Sequence, residues 1–222
     1  MRFLCLHGRG TNSDIFESQL GPGITDLYPP PFLCWYEHGV PVEVQDALVD
    51  LAVIIDEDGP YDGVVGFSEG AAVVASLLLS ENNSSRDNEN RFHVAVLFNS
   101  VIPLIPEKTV QKIPGEPLGE VVSGQDHESY LALLKQTSSS TKARWYTPRA
   151  SSARISIPTV HVIGARDPFA ASSRMVVDLY QPEKTHVLVH EGGHTLPQTA
   201  AGLDRCAEMI ETAVMLASLD GL

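Results

Sequence analysis

A five-residue pattern in this chain has the residue types of an acyl-transfer nucleophile. Ser68 lies at the centre of Gly66-Phe67-Ser68-Glu69-Gly70. A serine hydroxyl is a poor nucleophile at neutral pH, so it needs an aligned base and a strained strand-to-helix turn that exposes it. The pattern also occurs by chance in glycine-bearing turns. Here an apolar run precedes it and a small-residue run follows it, which is the context the motif requires, and we predict that Ser68 is the nucleophile.

A histidine in a late loop fits the general base. His194 follows Glu191-Gly192-Gly193, just after the last strand-like run of the chain. We predict that it takes the proton from Ser68. The histidines that compete for this role lie within strands, at a strand end or beside the first loop, and are interpreted as structural: His161, His186, His190 and His7. For His7 we expect a contact that braces the first loop.

An aspartate that precedes this histidine fits the third member of a triad. A carboxylate must orient and stabilise the imidazolium that forms during proton transfer. Asp167 lies in Gly164-Ala165-Arg166-Asp167-Pro168, directly after the penultimate strand-like run. A turn-forming Asp-Pro pair is the alternative. The order Ser68, Asp167, His194 along the chain is that of the α/β-hydrolases, and it favours the catalytic interpretation.

Two backbone amides are predicted to bind the oxyanion of a tetrahedral intermediate. One belongs to the residue after the nucleophile, and the other to the loop after the first strand of the core. These residues are Glu69 and Arg9. Because the donor is a backbone N–H, the identity of the side chain matters little for this role. For Arg9, an exposed loop cation is an equally favoured alternative.

Strand-like and helix-like segments alternate along the chain. Short apolar runs bounded by turns predict strands, and apolar residues at helical spacing predict helices. The predicted strands are residues 3–6, 62–67, 93–99, 159–163 and 185–189. The predicted helices are a short one ending near residue 20 and residues 43–56, 69–79, 128–135, 172–179 and 200–219, with a polar loop over 80–90. The alternation predicts a single domain over residues 1–222 with the α/β-hydrolase fold, in which helices cover both faces of a mainly parallel sheet of about five or six strands.

The chain between the first two helices carries conflicting signals. Residues 21–31 are rich in Gly and Pro and are predicted to be irregular. Residues 32–37 have the aromatic content of a strand, but prolines flank them, so strand and loop are equally favoured. The first helix has three candidate N-caps, Asn12, Ser13 and Asp14. Glu17 follows Asp14 at the spacing of a capping box.

Residues 101–156 are rich in proline and show little periodicity, which predicts a lid or insertion within the domain. Its C-terminal part holds several cations and no Asp or Glu, namely Lys135, Lys142, Arg144, Arg149 and Arg154. Such a segment would attract an anionic partner, such as an acidic carrier protein, with Arg144 and Arg149 as candidate contacts. A solvated lid surface is the favoured alternative.

Two aromatic pairs lie on segments that could line a pocket for an acyl chain. They are Trp35-Tyr36 and Trp145-Tyr146. Large aromatic side chains also dominate protein cores, so core packing is the favoured role for at least half of the four. Trp35 and Tyr36 are retained as candidate substrate contacts.

Composition excludes several classes of function. A chain of 222 residues that is 43% apolar can bury one core. Its net charge of -13 argues against nucleic-acid binding, which rewards clustered Lys and Arg. No run is apolar and long enough to span a membrane. The cysteines Cys5, Cys34 and Cys206 form no CxxC pair, so no metal site is predicted and a cytoplasmic location with free thiols is expected.

Four motifs in this order resemble the fungal FSH-type serine hydrolases, a family that includes esterases and thioesterases of polyketide gene clusters. They are Leu6-His7-Gly8-Arg9-Gly10-Thr11-Asn12, Gly66-Phe67-Ser68-Glu69-Gly70-Ala71, Gly164-Ala165-Arg166-Asp167 and Gly192-Gly193-His194. The resemblance implies a cytosolic hydrolase without a cofactor that acts in secondary metabolism. Its substrate would be a small acyl ester or a thioester on an acyl carrier protein.

The chain departs from the family pattern in two places. Family members usually carry Gln after the nucleophile, where this chain has Glu69, and a carboxylate there is expected to repel anionic substrates. Members also have a longer stretch, including another strand, before the Pro-Phe-aromatic segment. Either residues 32–37 fill the place of that strand or the sheet is one strand short, which would leave an open edge.

Two other functions remain open alongside the serine hydrolase. An acyltransferase would use the same residues if an acceptor alcohol replaced water. A binding or scaffold protein on a hydrolase fold would have lost its chemistry through the shortened N-terminal third. The intact set of Ser68, Asp167 and His194 argues against the scaffold.

Overall fold

The computed structural model describes residues 1–20, 31–82, 91–105, 144–145 and 154–220. The strands are β1 Phe3–Leu6, β2 Gly63–Phe67, β3 Val94–Phe98, β4 Leu104–Ile105, β5 Arg144–Trp145, β6 Thr159–Gly164 and β7 Thr185–His190. The helices are α1 Ser13–Leu20, α2 Pro41–Asp58, α3 Glu69–Asn82, α4 Ala170–Val177 and α5 Ala200–Asp220. The predicted helix over 128–135, most of the predicted lid and the greater part of the loops over 21–31 and 80–90 lie outside the described residues.

Within the described residues, five parallel strands form one sheet in the order β1-β2-β3-β6-β7. Parallel neighbours need crossover connections, which is why helices alternate with strands along the chain. The carboxyl ends of the strands therefore meet at one edge of the sheet, where ligands bind in open α/β folds. The predicted α/β class with a mainly parallel sheet is confirmed.

Helices cover both faces of this sheet, as the burial of β3 shows. Successive side chains of a strand point to opposite faces. One cluster combines Val94, Val96 and Phe98 with Phe16 of α1 and Ala213 of α5. The opposite cluster combines Ala95 and Leu97 with Leu51 of α2 and Val74 of α3. The sheet is thus buried between α1 and α5 on one side and α2 and α3 on the other.

The start of α1 confirms one of the three candidate caps and excludes the predicted capping box. The side chain of Asn12 is the cap, because its Oδ1 accepts the N–H of Ile15 at 2.9 Å. The carbonyl of Asn12 also accepts the N–H of Phe16 at 3.0 Å. Asp14 already lies in the first turn of the helix, so the predicted capping box of Asp14 and Glu17 is wrong.

Residues 31–40 contain no strand, only an isolated antiparallel bridge between Thr11 and Leu33. Gly10 N–H donates to Leu33 O at 2.8 Å, and Leu33 N–H donates to Thr11 O at 2.7 Å. This segment therefore holds the loop after β1 without extending the sheet. Among the described strands β1 is an edge strand. Of the two alternatives for residues 32–37, the loop is confirmed and the strand is wrong.

The predicted lid is described only at its two ends and at β5. There β4 and β5 form a separate antiparallel pair, with Leu104 opposite Trp145 and Ile105 opposite Arg144. The chain at residue 144 thus returns to the segment that follows β3. In the part of the chain that the structure describes, no helix is both long and apolar enough to cross a bilayer.

Candidate active site

Ser68 lies in a sharp turn between β2 and α3. Its φ of 54° places it in the left-handed region, which a residue with a side chain rarely adopts. Such a conformation costs about 1–3 kcal/mol and persists only where the surroundings impose it. Its N–H donates to Phe98 O of the neighbouring strand at 2.9 Å, which fixes the turn. The motif has therefore folded into the strained elbow that its sequence predicts.

The two flanking glycines of the motif are required by close contacts. A Cβ at Gly66 would lie 2.5 Å from the Cα of Ala71 in α3. A Cβ at Gly70 would lie 2.4 Å from the carbonyl oxygen of Leu6 and 2.5 Å from that of His7. These distances are far inside van der Waals contact with backbone atoms. The glycines thus let α3 approach both β2 and the end of β1.

The structure brings Ser68, His194 and Asp167 together from three separate segments. His194 Nε2 lies 2.8 Å from Ser68 Oγ, and His194 Nδ1 lies 2.8 Å from Asp167 Oδ2. The Asp167 side chain is fully buried, whereas that of His194 is 27% exposed. The imidazole can therefore accept the hydroxyl proton on one nitrogen while its other N–H is held by a carboxylate.

Backbone hydrogen bonds join the loop that carries Asp167 to the loop that carries His194. Ala165 N–H donates to His190 O at 2.7 Å, and Arg166 N–H donates to Gly192 O at 2.9 Å. His190 also accepts the Gly192 N–H on Nδ1 at 3.1 Å, and burial lowers the pKa of its imidazole. The two loops therefore act as one unit that sets the position of the His194 ring.

Asn99 is a buried residue of the site that the sequence reasoning missed. It is fully buried just after β3, with φ at 47°. Its Nδ2 donates to Thr195 O at 2.7 Å, and its Oδ1 accepts the N–H of Gly164 at 2.8 Å. It thus links the carboxyl ends of β3 and β6 to the residue after His194. A signal was present in the sequence, since Asn99 ends an otherwise apolar strand at the edge where the site forms.

Two phenylalanines pack against the imidazole. The ring of Phe67 lies 5.0 Å from that of His194, and the ring of Phe169 meets it edge-on at 5.3 Å. Phe169 N–H also donates to Asp167 Oδ1 at 2.7 Å, so the carboxylate is held on both oxygens. These contacts restrict rotation of the imidazole and shield its pairing with Asp167 from water.

The two residues predicted to supply oxyanion donors are joined by an ion pair in which Glu69 is buried and Arg9 is partly exposed. Arg9 Nε and Nη2 lie 2.9 and 2.7 Å from Glu69 Oε1. The Glu69 side chain is only 1% exposed, and burial raises the pKa of its carboxyl, an effect that Arg9 opposes. Glu69 is also the first residue of α3, so its backbone N–H belongs to the helix terminus that favours negative charge. The carboxylate is turned to Arg9, and the repulsion of anionic substrates by Glu69 stays a prediction.

The aromatic candidates lie beside this ion pair. Tyr36 is buried in the core cluster, whereas Trp35 is partly buried. Trp35 Nε1 donates to His7 O at 2.8 Å, and the two rings stack at 5.4 Å. His7 therefore braces the first loop through Trp35, as its position suggests.

The candidate cations and the competing histidine His161 do not contribute to the contacts of the His194 ring given above. Arg144 lies in β5, and Arg149 lies outside the described residues. His161 is buried in β6, where its ring meets Tyr180 edge-on at 4.8 Å. In the described segments, no group of three or more His, Cys, Asp or Glu could hold a metal ion.

Comparison with known proteins identifies relatives over nearly the whole chain. The sequence profile of the family described as serine hydrolase (FSH1) matches residues 26–205. Hydrolase FUB4 of Fusarium oxysporum f. sp. lycopersici is 27% identical over 269 residues, covering 97% of this chain and all of that protein. Esterase alnB of Emericella nidulans is 26% identical over 263 residues, covering 90% and 91% of the two chains. Acyl-protein thioesterase 2 of Zea mays shares the fold, with a TM-score of 0.55 at 14% identity over 96% of this chain and 93% of that one.

Proposed function

Because this chain belongs to the FSH1 serine hydrolase family, we propose that it cleaves a carboxylic ester or thioester through an acyl-enzyme on Ser68. The observation that carries the proposal is the pair of 2.8 Å contacts that connects Ser68 Oγ to His194 and His194 to Asp167. The left-handed turn at Ser68 adds support, since it presents the hydroxyl at the carboxyl edge of the sheet.

In the proposed reaction, Ser68 Oγ attacks the carbonyl carbon while His194 Nε2 accepts the hydroxyl proton. The tetrahedral oxyanion accepts hydrogen bonds from the backbone N–H groups of Arg9 and Glu69. When the intermediate collapses, His194 gives the proton to the leaving alcohol or thiol and the acyl group stays on Ser68. A water molecule that His194 deprotonates then attacks the carbonyl carbon of the acyl-enzyme. When this second intermediate collapses, the bond from the acyl carbon to Ser68 Oγ breaks, His194 returns the proton to Ser68 Oγ, and the acid is released. Asp167 holds the imidazole and stabilises its charged form throughout.

The proposed substrate is a small acyl ester or a thioester on an acyl carrier protein, in fungal secondary metabolism. Relatives named as esterase and hydrolase support the ester. The carrier-bound thioester is supported only by the family resemblance and by the cations between residues 135 and 154. The three free cysteines support the proposed cytoplasmic location, since such thiols persist in reducing compartments. Residues 1–222 are proposed to form one domain, with residues 101–156 as its lid.

Intact mass spectrometry after treatment with a fluorophosphonate tests the nucleophile. The wild type should gain one phosphonyl group, and Ser68→Ala should gain none. Ser76→Ala is the matched control, because Ser76 lies on the same helix but is buried and bonded to Ala72 O at 2.8 Å. It should label like the wild type. An unlabelled wild type would contradict the proposal and favour the scaffold function.

The carrier-bound substrate has a test of its own. Reversing the charge of Arg144 and Arg149 to Glu should raise KM for a carrier-bound thioester and leave KM for a p-nitrophenyl ester unchanged, because only the former presents an acidic protein surface. Equal effects on both substrates would exclude the carrier contact. Transfer of the acyl group to an added alcohol in place of water would instead identify an acyltransferase.

A further inference from the structure

We infer that Arg9 is a positioning residue that acts through Glu69, cancelling the charge of this buried carboxylate and holding it beside the oxyanion site. The inference rests on the proposed function, since it assigns the site a further component. It concerns the side chains of the two residues whose backbone N–H groups are proposed as oxyanion donors.

Three segments of the chain meet at the Glu69 carboxylate. Oε1 contacts Arg9 Nε and Nη2 at 2.9 and 2.7 Å, and Oε2 accepts the N–H of Trp35 at 2.9 Å. Arg9 in turn donates to Tyr36 O, and to Glu37 O at 3.5 Å. The carboxylate thus ties the loop after β1 and residues 35–37 to the first residue of α3. The loop of the first oxyanion donor is thereby fixed relative to the second donor.

The charge of Glu69 makes this pairing matter for catalysis. A tetrahedral intermediate places negative charge next to the backbone N–H of residue 69, whose own side chain is an acid. The Glu69 side chain is only 1% exposed, and like charges repel each other more strongly where water is excluded. Arg9 removes this repulsion by forming a nearly neutral pair with Glu69.

A purely structural ion pair is the rival explanation. Buried ion pairs are weak evidence for stability, but removal of one partner leaves an uncompensated charge and destabilises the fold. The rival predicts a loss of stability in an Arg9 variant with kcat preserved in the folded fraction. Our inference predicts a fall in kcat that disappears when the charge of Glu69 is also removed.

The experiment compares wild type, Arg9→Met, Glu69→Gln and the double variant, using p-nitrophenyl acetate and thermal unfolding. Arg9→Met should lower kcat about a hundredfold with KM little changed, the order of effect seen when an oxyanion donor is lost. Glu69→Gln is the reference for the double variant and should lose part of its kcat, because its amide has one acceptor oxygen where the carboxylate uses two, one for Arg9 and one for the N–H of Trp35. The double variant should recover at least tenfold in kcat over Arg9→Met, since a neutral Gln needs no cation.

Arg91→Met is the matched control. Arg91 pairs with Glu81 at 2.6 Å and with Asp56 at 2.6 Å. Burial raises the pKa of the Glu81 carboxyl, so removal of Arg91 also leaves a partly buried carboxylate without its cation, in a part of the fold that does not contact the Ser68 site. This variant should lose stability and keep its kcat.

Each outcome decides the inference. An Arg9→Met kcat near that of the wild type, or a double variant no faster than Arg9→Met, overturns it. If Arg9→Met does not fold, the double variant decides: a kcat within about tenfold of Glu69→Gln supports the inference, and a lower one overturns it. A wild type that neither hydrolyses esters nor labels at Ser68 overturns the proposed function along with the inference. An active wild type with an unaffected Arg9→Met overturns the inference alone.

Discussion

Replacement of Gly164 by Ala should disable the site from a position that touches neither Ser68 nor the substrate. Gly164 ends β6 where the Asp167 loop and the His194 loop cross. A Cβ there would lie 2.0 Å from Gly193 O and 2.8 Å from Gly192 O. Because ordinary contact begins at 3.4 Å, the His194 loop must move by more than an ångström. Such a displacement of a catalytic group costs about a hundredfold in rate.

The chain offers a sharp control for this change. A Cβ at Gly193, directly beside His194, would meet only Arg166 O at 3.7 Å, an ordinary contact. Gly193→Ala should therefore keep kcat within a fewfold of wild type, although Gly193 is much nearer to His194 in sequence than Gly164 is. The measurements are kcat for p-nitrophenyl acetate, the rate of fluorophosphonate labelling and the thermal unfolding midpoint of each variant.

Two outcomes would refute the steric reasoning. Gly164→Ala with a kcat near that of the wild type would mean that the loops absorb the added methyl without moving the imidazole. Gly193→Ala with an equally large loss would mean that flexibility of the loop, and not the contact at Gly164, controls His194. A Gly164→Ala protein that folds with a lowered midpoint and a much lower kcat would support the argument.

The remaining predictions concern the acid of the triad and a buried histidine. Asp167→Asn should lower kcat for p-nitrophenyl acetate by about ten-thousandfold with little change in KM, because an amide favours the wrong imidazole tautomer; a kcat within tenfold of wild type would contradict the role of Asp167. Burial lowers the pKa of His161 from an ordinary 6.5 to about 3. Below pH 6.5 the unfolded chain therefore binds a proton that the folded chain does not bind, and the free energy of unfolding falls as the pH is lowered. At 1.4 kcal/mol per unit of pH, the loss of unfolding free energy at pH 4.5 is about 3 kcal/mol. The urea midpoint of His161→Phe should therefore fall less between pH 7 and pH 4.5 than that of the wild type. Equal falls of the two midpoints would contradict this account.

The sequence was sufficient for those features of the site that depend on local context. Ser68 could be predicted because a strand, a turn and a helix within a short stretch determine its geometry. Asp167 and His194 follow consecutive strands, and parallel strands bring their carboxyl ends to one edge. Spacing and chain order therefore predict that these three residues meet. The two 2.8 Å distances among their side chains agree with that prediction.

Contacts between distant segments could not be predicted in the same way. The Arg9 side chain reaches Glu69 across 60 residues of sequence, and nothing in the local pattern of either residue indicates a partner. Asn99 likewise acts through contacts with Gly164 and Thr195 on other loops. At the start of α1, three adjacent capping residues compete, and only tertiary contacts decide among them: Asn12 Nδ2 also donates to Pro31 O at 3.1 Å. That second contact favours Asn12 over Asp14.

The predicted shortening of the N-terminal third bears on the site less than its length suggests. The alignment with the Fusarium relative spans 269 positions, more than the 222 residues of this chain, so the relative has residues that this chain lacks. Yet the loop after β1 is still held, because Leu33 bonds to Gly10 and Thr11, and the N–H of Trp35 bonds to Glu69. A fixed oxyanion loop requires hydrogen bonds from a neighbouring segment, and such bonds do not require that segment to be a strand of the sheet. The predicted loss of a strand from this region would therefore be compatible with the hydrogen bonds of the site, and the Arg9–Glu69 pair lies at the point where residues 35–37 meet the elbow.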